Sequence, residues 1–136
     1  MTIFQAIGIA GTGATVHRKW LDAVSDNIAN INTARPTTEA AYQEKRVEVE
    51  AVDYGAGTGG VRVSGTTLAS SAEGRMVYEP DSSLADADGY VRYPDVDLGS
   101  QMSQMIMAQR GYQANLAVVD RARETYMAAL RIGGGA

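Results

Sequence analysis

The sequence predicts an α+β fold, with long N- and C-terminal helices pairing as a coiled-coil stalk and a small β-rich middle segment between them. Three observations carry this prediction. Apolar or small residues recur in alternating four- and three-residue steps at both ends of the chain. Between those ends, short runs alternate with period two and are separated by Gly-, Asp- and Ser-rich turns. All three prolines stand outside the two periodic segments, where a missing N–H does not interrupt a helix.

The first helix belongs to residues 1–33. Its stripe is Ile3, Ile7, Ala10, Ala14, His17, Leu21, Val24, Ile28 and Ile31, about four heptads. Thr2 and Gln5 have the spacing of a capping box at its start. Its end is rich in amides: Asn27, Asn30 and Asn32 lie off the stripe, and Pro36 follows. A helix stop needs one asparagine in the left-handed position. Three suggest amides that also hydrogen-bond to neighbouring subunits.

Residues 34–95 form the middle. Val47-Glu48-Val49-Glu50 and Val61-Arg62-Val63 read as half-buried strands, with a flexible turn from Gly55 to Gly60. Met76-Val77-Tyr78 and Tyr90-Val91-Arg92-Tyr93 read as two more. Asp86-Ala87-Asp88-Gly89 reads as a tight turn. As a calcium loop it would put Leu84 at the first ligand position, and leucine cannot ligate calcium.

The second helix covers residues 96–132. Its stripe is Leu98, Met102, Met105, Gln109, Tyr112, Leu116, Val119, Arg123, Tyr126 and Leu130. Asp95 and Asp97 suit its positive N-terminal end and Arg131 the other. A Gly-rich tail, 133–136, ends it. At 1.5 Å per residue the helices would be about 43 and 50 Å long. A compact globule of this size is roughly 37 Å across, so the helices are expected to stand out as a stalk with the β segment as a knob.

Composition narrows the function. The 136 residues carry a net charge of −4, and the densest basic group is only His17-Arg18-Lys19. Nucleic acid is therefore not the expected partner, because binding phosphates needs clustered cations. The chain has no cysteine, which removes disulfides and thiol chemistry. No stretch has the roughly 20 apolar residues of a membrane span. Nor does the uncharged start have the leading basic region of a cleavable secretion signal. From Leu98 to Val119 the only charge is Arg110. That is too polar for lipid and too uncharged for a solvated face, so it suits burial among other protein helices.

Catalytic and ligand-binding signals are lacking. The glycines Gly8, Gly11 and Gly13 do not make a nucleotide loop, since no strand precedes them and the spacing is wrong. They fit a helix surface that admits a close neighbour. His17 is the single histidine and sits on the stripe, which marks it as a packing residue. No His/Asp/Glu grouping has metal spacing, and no cofactor is expected.

Four stretches carry a family resemblance. They are Asn27-Ile28-Ala29-Asn30-Ile31-Asn32-Thr33, then Val77-Tyr78-Glu79-Pro80 with Ala85-Asp86-Ala87-Asp88-Gly89-Tyr90-Val91, then Pro94-Asp95-Val96, then Arg110-Gly111-Tyr112-Gln113-Ala114-Asn115. In this order the chain resembles the flagellar basal-body rod protein family, of the proximal-rod type, over essentially its whole length. It departs from the family pattern at Ser82-Ser83, Asp95 and Gln101, and in the variable stretch 34–38.

The resemblance implies a structural, non-enzymatic rod subunit. Such proteins are exported unfolded by the flagellar type III apparatus without a cleaved signal. They assemble helically in the periplasm with themselves and other rod proteins. Their terminal helices surround the export channel, and the rod carries torque from motor to hook. The residues expected to make assembly contacts are Ile7, Leu21, Ile28, Asn30, Tyr112, Asn115, Leu116 and Val119. The motif positions carried over are Asn27, Ala29, Thr33, Tyr78, Pro80, Gly89, Tyr90, Pro94, Gln113 and Ala114. Alternatives are another flagellar rod or hook component, a soluble two-helix adaptor for a partner helix, and a small enzyme using His17.

Overall fold

A computed structural model describes residues 2–55 and 58–134. The order of elements is α1 (Ile3–Asn30), β1 (Lys45–Gly55), β2 (Thr58–Leu68), β3 (Arg75–Tyr78), β4 (Tyr90–Tyr93) and α2 (Leu98–Gly133). The architecture is α+β, with one long helix at each end and a small antiparallel middle. The helices are about 42 and 54 Å long.

Both helices start as their sequences direct. The Thr2 N–H donates to Gln5 Oε1 at 2.6 Å, and the Gln5 N–H donates to Thr2 Oγ1 at 3.3 Å, which completes the capping box. Asp97 caps α2 by accepting the Ser100 N–H at 2.6 Å. Arg131 lies in the last turn of α2.

The helices pack antiparallel. Phe4 meets Tyr126 edge to face with ring centroids 5.4 Å apart. Gly13 faces Asn115, and His17 faces Gly111. The Trp20 indole N–H donates to Gln104 at 3.3 Å, and Asn27 reaches Gln101 at 2.9 Å. Every described α1 stripe residue from Ile3 to Ile31 is buried or half-buried.

The α2 seam differs from the predicted stripe by one position. The line facing α1 is Gln101, Ala108, Asn115 and Ala122, each seven residues from the next. Met105, Tyr112 and Val119 flank it and are half-buried, whereas Leu98, Met102, Gln109, Leu116, Arg123, Tyr126 and Leu130 are exposed. The cause is size. Alanine and glycine let the two backbones approach closely, so the large side chains are turned outward.

The middle is not a single knob. It forms two separate two-stranded sheets, β1–β2 and β3–β4. The β1–β2 hairpin lies along α1. Its root is held at Asn27, where Lys45 begins β1. Further along, the Val61 N–H donates to Thr12 Oγ1 at 3.1 Å. Near its turn, Tyr54, Thr58 and Gly59 share a groove with Phe4, Gln5 and Gly8. Lengths explain the fit. An 11-residue strand reaches about 34 Å, and the rise from Gln5 to Asn27 on α1 is about 33 Å.

The strands are longer than the predicted runs because glycine is used here for close approach. A Cβ on Gly60 would lie 2.5 Å from Thr12 Oγ1, and one on Gly59 would lie 2.7 Å from the Val52 carbonyl. Both glycines therefore belong to β2 rather than to the predicted flexible turn. Ala56 and Gly57, also in that predicted turn, lie outside the described residues. The ladder changes register between Glu48 and Val49, where Glu48 pairs with Gly65 and Val49 with Val63. Such a bulge adds twist, which helps a ribbon follow a cylinder.

The β3–β4 pair has Val91 fully buried, and Arg75 of β3 shares a groove with Ile31 and Leu98 where α1 ends and α2 begins. Arg35 and Arg92 exchange backbone hydrogen bonds of 2.8 and 2.9 Å, which ties the segment after α1 to β4. The predicted Asp86–Gly89 turn forms. Asp86 Oδ1 accepts the N–H groups of Asp88 and Tyr90, and Gly89 adopts φ +83°. Only glycine takes that conformation without strain.

Candidate functional site

The α2 helix carries an apolar face with no partner among the described residues. Leu98, Met102, Ile106 and Leu116 make up this exposed face, whereas Met107 and Val118, also exposed, stand on the other flank of the helix. Met102 and Met107 keep 54% and 53% of their surface in solvent. Between Leu98 and Val119 only Arg110 adds charge. A solvated face normally mixes charges of both signs, so this one is composed like the inside of an assembly. Beyond Tyr126 the helix continues for about 10 Å past the start of α1, with Leu130 and Ile132 exposed.

The end of the pair where α1 stops and α2 begins holds a buried polar cluster centred on Asn27, which is only 1% exposed. Its Nδ2 donates to the Lys45 carbonyl at 3.0 Å and to Gln101 Oε1 at 2.9 Å. Its Oδ1 accepts the Lys45 N–H at 2.8 Å and the Tyr42 hydroxyl at 2.9 Å. An amide has two N–H groups and two lone-pair directions, and all four are used here. Burial pushes the Tyr42 phenol above its ordinary value, outweighing the lowering effect of nearby Lys45. Lys45 also reaches Asp26 at 2.9 Å, and that hydrogen bond raises its pKa.

The three asparagines thus have three different surroundings. Asn27 is the buried hub. Asn30 turns back on its own helix, donating to the Asp26 carbonyl at 2.8 Å and accepting the Thr33 hydroxyl at 3.2 Å. Asn32 is exposed. Asn115 lies inside the helix pair. It rests against Gly13, and its Nδ2 donates to the Gly111 carbonyl at 2.8 Å. Its amide is therefore used within the chain.

The other expected contact residues divide by exposure. Ile7, Leu21, Ile28, Tyr112 and Val119 are half-buried, and Leu116 is exposed. Among the motif positions, Tyr78 and Tyr90 pack edge to face at 5.4 Å. Pro80 and the Tyr78 ring stand over Gly89, where a Cβ would come within 2.8 Å of the ring. Pro94 is buried, and Ala29, Gln113 and Ala114 are exposed. Thr33 closes the turn after α1 by donating its N–H to the Asn30 carbonyl at 3.0 Å.

The hub was not singled out by sequence reasoning, although a signal for it existed. Val16, Trp20, Ala23 and Asn27 form a second four-three-four series beside the first stripe. A helix with two adjacent apolar stripes needs two partners, and here the second is the hairpin: Ala23 shares a groove with Val47 and Val63.

Among the described residues, no three His, Cys, Asp or Glu side chains gather as a metal site. No described helix is long and apolar enough to cross a membrane.

Residues 87–132 match the family described as flagellar basal body rod FlgEFG protein C-terminal. The chain is 34% identical over 135 residues to the flagellar basal-body rod protein FlgC of Salmonella typhimurium, covering 98% of this chain and 99% of that one. It is 35% identical to the protein of the same name from Escherichia coli O157:H7, with the same coverage. Against FlgC of Bacillus subtilis it is 30% identical over 150 residues, again covering 98% and 99%. On this near-full-length similarity, the chain belongs to the FlgC family of flagellar basal-body rod proteins.

Proposed function

We propose that this chain is a structural, non-enzymatic subunit of the proximal rod. It assembles helically by burying the outer face of α2 against copies of itself and other rod proteins. The observation that carries the reading is that face: a run of large exposed apolar side chains with Arg110 as its one charge between Leu98 and Val119. Burying a single Leu or Met side chain contributes about 1.5–3 kcal/mol. Several per subunit, repeated along a polymer, offset the entropy lost on association.

The terminal helices then surround the export channel, and torque passes through many repeated helix–helix contacts. The chain reaches its site through the flagellar type III export apparatus, unfolded and without signal cleavage. A sequence free of cysteine suits such passage. Electron microscopy of basal bodies from a strain lacking this chain tests the reading. The expected result is basal bodies without a complete rod; an intact rod would rule it out.

A further inference from the structure

We propose that Asn27 is a conformational clasp through which docking of the first turns of α2 holds the root of the β1–β2 hairpin against α1. One amide plane joins three segments that are distant in sequence. Lys45 binds it through both backbone groups, at 2.8 and 3.0 Å, and Tyr42 through its hydroxyl at 2.9 Å. Those three bonds come from the hairpin and the residues leading into it. The fourth comes from outside, where Gln101 Oε1 takes the remaining N–H at 2.9 Å. Among the described residues, no hydrogen bond joins Gln101 to β1 directly. The α2 helix therefore reaches the hairpin root through Asn27.

The coupling follows from the chemistry of the amide. If Asn27 turned by half a rotation, its oxygen would face the Lys45 carbonyl and its N–H groups would face the Lys45 N–H. Each hairpin bond would become a repulsion. The two Lys45 backbone bonds set the correct direction, and Gln101 adds to it by taking the remaining Nδ2 hydrogen, which would otherwise be buried without a partner. Gln101 is 1% exposed, so water does not readily replace it. When the start of α2 lifts, Asn27 loses that restraint and a buried N–H loses its partner. The hairpin root then loosens, although it never touched α2 through Gln101. Two-stranded ribbons are marginal by themselves, so this hairpin responds strongly to the loss of an anchor.

Amide hydrogen exchange on the full-length chain tests the clasp. Gln101→Leu is expected to accelerate exchange at Lys45–Val49 and at their partners Val63–Leu68 by about tenfold. The distant helix amides from Ala10 to His17 should stay within about twofold. A milder variant, Asp97→Ala, weakens only the cap of α2 and should still accelerate the hairpin root, by about fivefold. Tyr42→Phe removes one bond on the hairpin side and should accelerate the root and, because the coupling is reciprocal, the first turns of α2 as well. The proposal is overturned if Gln101→Leu disturbs α2 alone, or if exchange rises uniformly along the chain. Should Gln101→Leu fail to fold, an unchanged hairpin root in Asp97→Ala overturns it equally.

Discussion

Gly8 and Gly111 are the same residue in opposite circumstances. Nothing lies within 4 Å of a Cβ built on Gly8, whereas one on Gly111 would fall 2.3–2.7 Å from the His17 ring. Helix propensity favours alanine over glycine by up to about 1 kcal/mol. Gly8→Ala should therefore raise the melting temperature of the isolated chain, by roughly 0.5–1 kcal/mol of stability. Gly111→Ala should lower it by about 1–3 kcal/mol, because the His17 ring must move and the helices must separate. Thermal melts followed by circular dichroism check both signs. His17 is thus explained as a residue seated in a glycine notch and stacked beside Trp20 at 6.0 Å.

Two titrating residues give opposite pH dependence. The Tyr42 phenol is raised, chiefly by burial. Its contribution is full below the unfolded tyrosine value near 10 and is lost as pH rises through the folded value. A phenolate also cannot donate to Asn27. Stability read from denaturant unfolding should therefore fall above about pH 10, and Tyr42→Phe should reduce that alkaline loss. Asp86 is lowered, first by the Tyr90 N–H, with the Thr37 side chain and the Asp88 and Gly89 N–H groups adding to it. Its contribution holds above the unfolded value near 3.9 and is lost as pH falls through the folded value. NMR of the β3–β4 turn should show that loss under acid, and Asp86→Asn should be insensitive to it.

At the scale of elements, α2 is tied to the rest of the fold near its first turn. Asp97→Ala removes the cap and should cost about 1 kcal/mol of stability, read from denaturant unfolding. The same helix shows what the sequence could reveal and what it could not. Its existence, start and end were legible from Pro94, Asp97 and the terminal glycines, because local chemistry sets them. Its rotation was not. Reading Leu98, Met102 and Leu116 as the inner stripe assumes that large apolar residues face the nearest partner. Here Ala108, Gly111 and Ala122 take that place, and the large residues face outward. Periodicity reports that a face is apolar without reporting what covers it.

The hairpin had the converse problem. Val47, Val49, Val61 and Val63 announce two strands, but Gly59 and Gly60 have the composition of a turn, and only the Val52 carbonyl beside the first and Thr12 beside the second place them in β2. Long-range contact decided their role. Asn27 was hidden for the same reason. In a run of three amides, nothing local distinguishes the one that will meet Tyr42, Lys45 and Gln101.

The molecule as a whole is a helix pair flanked by a ribbon along α1, with a small β3–β4 layer at one end and α2 overhanging at the other. The ribbon covers a second face of α1, and the outer face of α2 stays uncovered. In the proposed rod this open flank meets unlike surfaces of its neighbours, the kind of contact that propagates into a helical polymer instead of closing as a dimer. The clasp at Asn27 adds a consequence. Whatever steadies the first turns of α2, including a neighbour on its outer face, also steadies the hairpin.

The central claim is that the outer face of α2 exists for assembly and not for folding. It is tested most directly by the double variant Met102→Lys with Leu116→Lys, examined as purified chain and in basal bodies from cells that carry it in place of the native chain. Both side chains are exposed, so unfolding should shift by less than about 1 kcal/mol. Electron micrographs should nonetheless show basal bodies without a complete rod. Normal rods built from this variant would contradict the account.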